Sequence, residues 1–533
     1  MGVALAVFGI SPLGAQPAGA PNVIVILADD LGWGDLGCYG NPMPGITPHL
    51  DALAASGMRF EQGYAASPVC TPSRAAIMAS RFPSEVRLGA ALLANKELNE
   101  ARGLDAFLSP EYPTMPRHFR EAGYFAGHVG KWHLTAGYAT GAPRPAAYGY
   151  DYSRTDSPVD PNRIAEGMWG QARRDSSTAF LVDQSLQFLN RVPEGRPFFL
   201  NLWLSDPHAP LAPSEEQQQA VQDCCSGGRV LSDREKVYFG TIHEMDRQLG
   251  RLVQALKDRG LFDNTILLFT SDNGPEVAEV KEAANAGVGL AGRLRGRKRS
   301  LYEGGIRVPL LVSWPDRIAP GIDSQTPVQG VDLWPTLAAL AGLPAPEVPS
   351  MDGEDLSAAF LGRPVERAKP LIWETAYDYI GNADGRSPRL AIRQGPYKLL
   401  VSPLEPAYFE LYDLRDRPEE RVMLGLGDWS QTLPLYETLQ EWHEALYGRR
   451  LQAFRDLFVH PTLVGPRREI SVYAPEAGQV HIVLYSLQGK LVWEGDFRSE
   501  LARLKLPEHL PSGQYILSVS SADTAKRIRL ILL

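Results

Sequence analysis

The stretch Asn22-Val23-Ile24-Val25-Ile26-Leu27-Ala28-Asp29-Asp30 decides the fold. Val23 to Ala28 is apolar without interruption and rich in β-branched residues. That is the pattern of a strand covered on both faces, as in a parallel sheet. The run stops at two carboxylates. In open α/β sheets ligands bind beyond the carboxyl ends of the strands. Two adjacent acids there repel each other unless a cation or base sits between them. Solvated turn acids are the plainer reading, weakened by the burial the strand demands.

The same arrangement recurs along the chain. Tyr124 to Val129 reads as a strand ending at Gly130-Lys131-Trp132-His133, and if the strand persists Lys131 and His133 point to one side. Pro197 to Leu204 ends in Ser205-Asp206-Pro207-His208, and Asn264 to Thr270 in Ser271-Asp272-Asn273-Gly274. Val308 to Trp314 is a fifth strand. Between them lie helical patterns at Thr47–Ala54, Pro113–Ala122, Ala179–Val192, Asp233–Arg259 and Val331–Leu340. In the longest, Val237, Ile242, Met245, Leu249, Leu252 and Leu256 keep a near 3–4 spacing. Strands alternating with helices indicate an α/β fold with a large, mostly parallel or mixed sheet sandwiched by helices.

Ser67-Pro68-Val69-Cys70-Thr71-Pro72-Ser73-Arg74 precedes the apolar run Ala75 to Ala79. Pro72 suits a first helical turn, so Cys70 belongs beside a helix N-terminus, where an anion is favoured. A nucleophile and a small buried core thiol fit this local pattern equally well. Asp29, Asp30, Asp272 and Asn273 would give a cation an all-oxygen shell suited to Ca²⁺ or Mg²⁺. Arg74, Lys131, Lys298, His133 and His208 would face it, an arrangement that binds a small tetrahedral oxyanion.

With 533 residues, 44% hydrophobic and 22% charged, the chain has the composition of a multidomain globular protein. Its net charge of −9 argues against bulk nucleic-acid binding. The four cysteines form no disulfide framework. Adjacency strains a bridge between Cys224 and Cys225, and either could pair with Cys38. Residues 1–20 read as an export signal, too short to span a bilayer, and no other stretch is expected to cross a membrane. The catalytic α/β unit is expected over 21–369. From 370 to 460 short alternating runs suggest a small antiparallel sheet with a helix from about Pro434 to Tyr447. His460 to Pro466 reads as a linker, and 467–533 as a separate all-β domain with turns at Gly489 and Gly513.

Cys70-Thr71-Pro72-Ser73-Arg74 resembles the activating signature of the type I sulfatases, with Ala79-Ser80 where the family usually has Thr-Gly. Asp29-Asp30, Gly130-Lys131-Trp132-His133, Pro207-His208-Ala209-Pro210, Ser271-Asp272-Asn273-Gly274, Lys298 and Tyr302-Glu303-Gly304-Gly305 extend the resemblance over about residues 21–455. It implies an alkaline phosphatase-like fold and hydrolysis of the sulfate ester of a carbohydrate or aryl alcohol. It also implies that a formylglycine-generating maturation enzyme oxidises Cys70 to Cα-formylglycine. Asp29, Asp30, Asp272, Asn273 and residue 70 would hold one Ca²⁺. The hydrated aldehyde would attack sulfur, with Arg74 steadying it and Asp272 able to take its proton. Lys131, Lys298 and His208 would contact the sulfate, Lys298 or His208 would protonate the leaving alcohol, and His133 would accept a proton as sulfate is expelled.

Two other readings stand beside this one. A phosphate or phosphonate ester hydrolase of the same superfamily is disfavoured by Asn273, where two-metal relatives carry histidine. A non-catalytic binder of sulfated glycans is disfavoured by the intact motifs. Arg297 and Arg299 are either solvated charge or a subsite for a multiply sulfated glycan. Residues 467–533 resemble the sorting domain of type IX secretion cargo. The resemblance rests on Tyr485-Ser486-Leu487-Gln488-Gly489-Lys490, Leu510-Pro511-Ser512-Gly513-Gln514-Tyr515, Lys526 and Arg527. It implies export by that machinery to the surface or surroundings of a Gram-negative bacterium. A carbohydrate-binding or spacer β-domain is the alternative.

Overall fold

The structure, a computed structural model, describes residues 19–93, 96–135, 142–155, 171–348, 350–376, 379–402, 409–415, 417–424 and 429–447, and short segments between 458 and 532. The export signal expected over 1–20 lies almost wholly outside the described residues, as do Gly489 and Leu487-Gln488 of the sorting-domain motif. The chain forms two compact units. One runs to Lys369 and includes Thr375–Arg386; the other comprises Pro370–Glu374 and the chain from Ser387 onward.

The first unit is built on eight strands: β1 (Asn22–Ala28), β2 (Met58–Phe60), β3 (Phe125–Gly130), β4 (Tyr152–Thr155), β5 (Phe198–Trp203), β6 (Thr265–Ser271), β7 (Leu310–Ser313) and β8 (Ile322–Ser324). Their order is β4-β3-β5-β1-β6-β7-β2-β8. The block β4 to β6 is parallel, with Val25 level with Asn201 and with Leu268. β7 runs antiparallel to both β6 and β2, so the sheet is mixed. Because β3, β5, β1 and β6 are parallel neighbours, their carboxyl ends share one edge.

β1 explains why the sheet needs two covers. Val23, Val25 and Leu27 enter one core with Ile77, Met78, Phe119, Trp334 and Leu337. Ile24, Ile26 and Ala28 enter another with Leu181, Phe188, Ile242, Met245 and Leu252. Alternate strand residues face opposite sides, so an uninterrupted apolar run requires helices on both. Helices Cys70–Ala79, Met115–Glu121 and Leu333–Leu340 contribute to the first cover, Ser177–Leu189 and Asp233–Asp258 to the second. The last of these starts with a reciprocal capping box between Ser232 and Glu235. None of the described helices is long and apolar enough to cross a membrane.

In the second unit, Leu371–Glu374, Leu390–Gln394, Tyr397–Val401 and Phe409–Asp413 form a four-stranded antiparallel sheet. Its helix spans Trp429–Tyr447. The first of these strands escapes the sequence reading because it is only four residues long. The terminal segments make a three-stranded and a five-stranded sheet. In the larger, fully buried Ile482 and Leu484 pair with Val519 and Leu517. The expected linker is partly strand: Phe458–His460 pairs with Glu469–Tyr473, and Leu463–Val464 runs parallel to the last strand. Backbone pairing, invisible in so short a sequence, recruits these residues.

The cysteine expectation needs correction. Cys224 and Cys225 are bridged to each other, while Cys38 and Cys70 are free. Both bridged residues close helix Glu215–Cys225. Cys38 lies elsewhere, with its N–H donating to Asp51.

Candidate active site

The shared strand edge gathers the acids and bases. Asp29 and Asp30 follow β1, Lys131 follows β3, Asp206 and His208 follow β5, and Asp272 and Asn273 follow β6. Cys70 opens the buried helix Cys70–Ala79, where Ser73 closes the preceding turn by hydrogen bonds with Ser67 N and O at 3.1 and 2.9 Å. Ligand atoms of Asp29, Asp30, Cys70 and His208 lie within 4.8 Å of one another. Asp272 joins them through its Oδ1, which accepts the Asp30 N–H at 3.2 Å, and Asn273 Nδ2 donates to Asp30 Oδ1 at 2.7 Å.

Each acid has one short contact to a cation, with longer ones beside it: Arg74 Nη2 lies 3.7 Å from Asp29 Oδ1. Lys131 Nζ donates to Asp29 Oδ2 at 2.5 Å and Lys298 Nζ to Asp30 Oδ2 at 2.6 Å. Arg74 donates through Nε and Nη2 to Asp272 Oδ2 at 2.9 and 2.7 Å, and lies over the Trp203 ring. Lys298 reaches the site because its turn packs on the Asp272 loop. A Cβ at Gly274 would lie 2.1 Å from the Gly304 carbonyl oxygen, and one at Gly305 would lie 2.1 Å from that of Ser300. The glycines of Tyr302-Glu303-Gly304-Gly305 therefore serve close backbone approach.

Burial opposes the charge on Asp29, but Lys131, His208, Arg74 and Lys298 outweigh it and hold the carboxyl well below the usual range. Asp30 is lowered against burial in the same way, chiefly by Lys298 and His208. Burial, then Asp29, push Asp272 up to about 7 despite Arg74. Burial pushes the Cys70 thiol up to about 11, against the pull of Lys131 and Lys298. An unmodified Cys70 is therefore a neutral thiol at neutral pH and a poor nucleophile, since the thiolate is the reactive form.

His208 Nδ1 donates to Ala209 O at 2.6 Å, which leaves Nε2, 3.7 Å from Asp30 Oδ2, facing the site. Burial lowers its pKa, against Asp30 and Asp29. His133 is reached differently from the expectation. The strand stops at Gly130, whose φ is +109°, so the alternation linking Lys131 and His133 does not apply. His133 Nε2 lies 3.4 Å from Leu92 O, and its buried Nδ1 has no hydrogen-bond partner among the described residues. Burial, then Lys131 and Arg74, hold His133 neutral.

Buried Asp29 Oδ1 and Asn273 Oδ1 accept no hydrogen bond among the described residues. Orphaned oxygens beside three buried carboxylates fit a hard cation, for which an all-oxygen donor set is the preferred shell.

Arg297 and Arg299, weighed from the sequence as solvated charge or a glycan subsite, are half-buried and engaged by the protein. Arg297 donates to the carbonyls of Glu276, Gly287 and Gly289 at 2.8, 2.9 and 2.6 Å, and Arg299 pairs with Glu276. Ser80, at the expected glycine position, is in the left-handed region at φ +52° and donates to Val331 O at 2.5 Å. The site also holds residues the sequence did not single out. Buried Glu276 lies 3.6 Å from Lys298, and buried Arg174 contacts the His208 loop. An acid two residues beyond Gly274 was a usable signal for Glu276; Arg174, in Gln171-Ala172-Arg173-Arg174-Asp175, had none.

A nucleophile position at a helix start, beside acids and cations at the carboxyl edge of a mixed sheet, defines a hydrolase site of the alkaline phosphatase-like fold. Residues 21–343 match the family described as Sulfatase, and 296–445 match the C-terminal region of N-sulphoglucosamine sulphohydrolase. Human arylsulfatase A is 33% identical over 415 residues, covering 72% of this chain and 75% of that protein. Canine N-acetylgalactosamine-6-sulfatase is 33% identical over 384 residues, covering 66% and 69%. A solved structure, Ps i-CgsB in complex with k-i-k-neocarrahexaose, superposes with a TM-score of 0.64 at 26% identity, covering 81% of this chain and 94% of that one. The chain belongs to the sulfatase family, and it is an enzyme of sulfate ester hydrolysis.

Proposed function

We propose that the chain removes sulfate from a sulfated carbohydrate, using Cα-formylglycine at position 70 and one Ca²⁺ held by Asp29, Asp30, Asp272, Asn273 and residue 70. The observation that carries this is the convergence of Cys70 with Asp29, Asp30 and His208 within 4.8 Å. When bound, Ca²⁺ would supply Lewis-acid polarisation and charge neutralisation. Lys131 and Lys298 serve as sulfate-oxygen ligands, and Arg74 holds Asp272 and the residue-70 pocket in place. Lys298 is held firmly cationic by Asp30 against burial, so it is a weak acid. His208 Nε2 faces the site, and a sulfate ester beside it adds the negative charge that draws a proton there. We therefore assign protonation of the leaving alcohol to His208. His133, neutral and half-buried with its Nδ1 enclosed, is the base that takes a proton at Nδ1 as sulfate leaves.

The carbohydrate class is supported by relatives named for N-acetylgalactosamine 6-sulfate and by the structure solved with neocarrahexaose. Residues 370–460 are the small C-terminal subdomain of the sulfatase, a reading supported by the second family match across 296–445. Residues 1–20 and 467–533 would direct export, the latter through a type IX machinery.

The test is expression beside a formylglycine-generating enzyme, mass spectrometry of the Cys70 peptide, and a panel of sulfated sugars with an aryl sulfate and an aryl phosphate. An aldehyde at position 70 with sugar-sulfate turnover is expected. A persistent thiol, or turnover of the phosphate alone, would overturn the reading. Removing 467–533 should block export and spare activity; normal export of that variant would refute the sorting role.

A further inference from the structure

Everything asked of His208 depends on where Nε2 points. Its Nδ1 bond runs to Ala209 O, the neighbouring backbone, so it ties the ring only to its own loop. The loop itself is held by Arg174, a side chain from the 3₁₀ turn Gln171–Ser176 that is only 3% exposed. Arg174 Nε donates to Pro210 O at 2.6 Å. Its Nη2 donates to His208 O and, at 3.3 Å, to Ser205 O. The same Nη2 lies 3.2 Å from Asp206 Oδ1, and Asp206 Oδ2 accepts from Thr178 Oγ1 at 2.6 Å. One planar fork thus touches both ends and the middle of the segment Ser205–Pro210. A guanidinium can do this because its donors are rigidly disposed in one plane; an ammonium cannot.

We propose that Arg174 is the positioning residue for His208, fixing the loop so that Nε2 faces the scissile oxygen. This rests on the sulfatase reading above. The acceptors Arg174 uses belong to the protein, so it acts through His208. Misplacing a reacting group by about 1 Å costs on the order of 10²-fold in rate. If His208 protonates the leaving alcohol, that cost falls mainly on substrates whose leaving group needs the proton.

The test uses the full, matured chain with Arg174→Ala, Arg174→Lys, His208→Ala and the Arg174→Ala/His208→Ala double variant. Turnover is measured on a sugar sulfate and on nitrophenyl sulfate, whose leaving group departs without help. Arg174→Ala should lower kcat about 10–100-fold on the sugar sulfate and much less on nitrophenyl sulfate. Added guanidinium should restore part of the loss. In the His208→Ala background the same change should cost less than about twofold, because residues acting as a unit are non-additive. Arg174→Lys should resemble Arg174→Ala, and it carries the test if the alanine variant does not fold. Additive losses, equal losses on both substrates, or a lowered melting temperature with unchanged kcat would overturn the inference. An inactive but matured wild type would instead strike the sulfatase reading.

Discussion

Removing the guanidinium at position 74 isolates what holds the acid cluster together. Arg74 is fully buried, as is its partner Asp272. It places two charge-assisted hydrogen bonds on one carboxylate oxygen, at 2.9 and 2.7 Å, and a third on the Lys131 carbonyl at 3.3 Å. Hydrogen bonds to a charged group are worth about 1.5–3 kcal/mol each. Removing one partner of a buried pair strands the other at a cost of about 3–5 kcal/mol. These figures describe the same event, so they do not add, and Arg74→Ala should cost about 3–5 kcal/mol in all. The assay is denaturant unfolding of the full chain at a pH well above the Asp272 value of about 7, where the carboxyl is ionised, with a chelator present so that no metal compensates the stranded acid. Arg74→Ala/Asp272→Asn should recover much of the loss, because the double variant leaves no unpaired charge. A single-variant loss below about 1 kcal/mol, or a double variant whose losses simply add, would refute the buried-pair account.

Three further outcomes follow from buried contacts. Arg297→Ala exposes three unmet carbonyls, so it should destabilise the protein by about 2–3 kcal/mol. It should also lower turnover of sulfated oligosaccharide and aryl sulfate alike; loss confined to the oligosaccharide would instead favour the glycan subsite. Ser80→Gly relieves a left-handed conformation worth about 1–2 kcal/mol but strips Val331 O of a hydrogen bond worth about 1 kcal/mol. Denaturant midpoints should thus nearly coincide. Burial raises Asp246 to about 7 although it accepts the His49 and Leu50 N–H groups. The folded state therefore holds a proton the unfolded state releases, so this stabilising contribution is complete below the model-peptide value near 4 and is lost as pH rises through 7. Asp246→Asn should flatten the stability decline between about pH 4 and 7; an unchanged slope would exclude Asp246 as its source.

The parallel core was legible because burial on both faces leaves a mark in the sequence itself. Val23 to Ala28 has no polar position, and every neighbouring strand of the parallel block ends in polar residues. Asp29, Asp30, Lys131, His208, Asp272 and Asn273 could be picked out because strand ends are fixed by where apolar runs stop. Cys70 and Arg74 were legible as a spaced motif, and the resemblance of separated motifs supplied the family. Other features are set by backbone meeting backbone, and no residue pattern records that. The strand ends at Gly130, before Lys131 and His133, so alternation places neither of them. Leu463–Val464 becomes a strand only because the last strand lies beside it. Arg297 looks like free charge until the carbonyls of Glu276, Gly287 and Gly289 close around it.

The opening strand shows the division most plainly. Its sequence alone determined that β1 is covered on both faces and that a charged site lies at its end. Which cation meets which acid was decided only by tertiary structure: Lys131 for Asp29, Lys298 for Asp30, Arg74 for Asp272. Those partners are 102, 268 and 198 residues apart in the chain. Pairing over such separations is set by strand order and loop packing, because a charge carries no information about its partner until the fold removes the water between them.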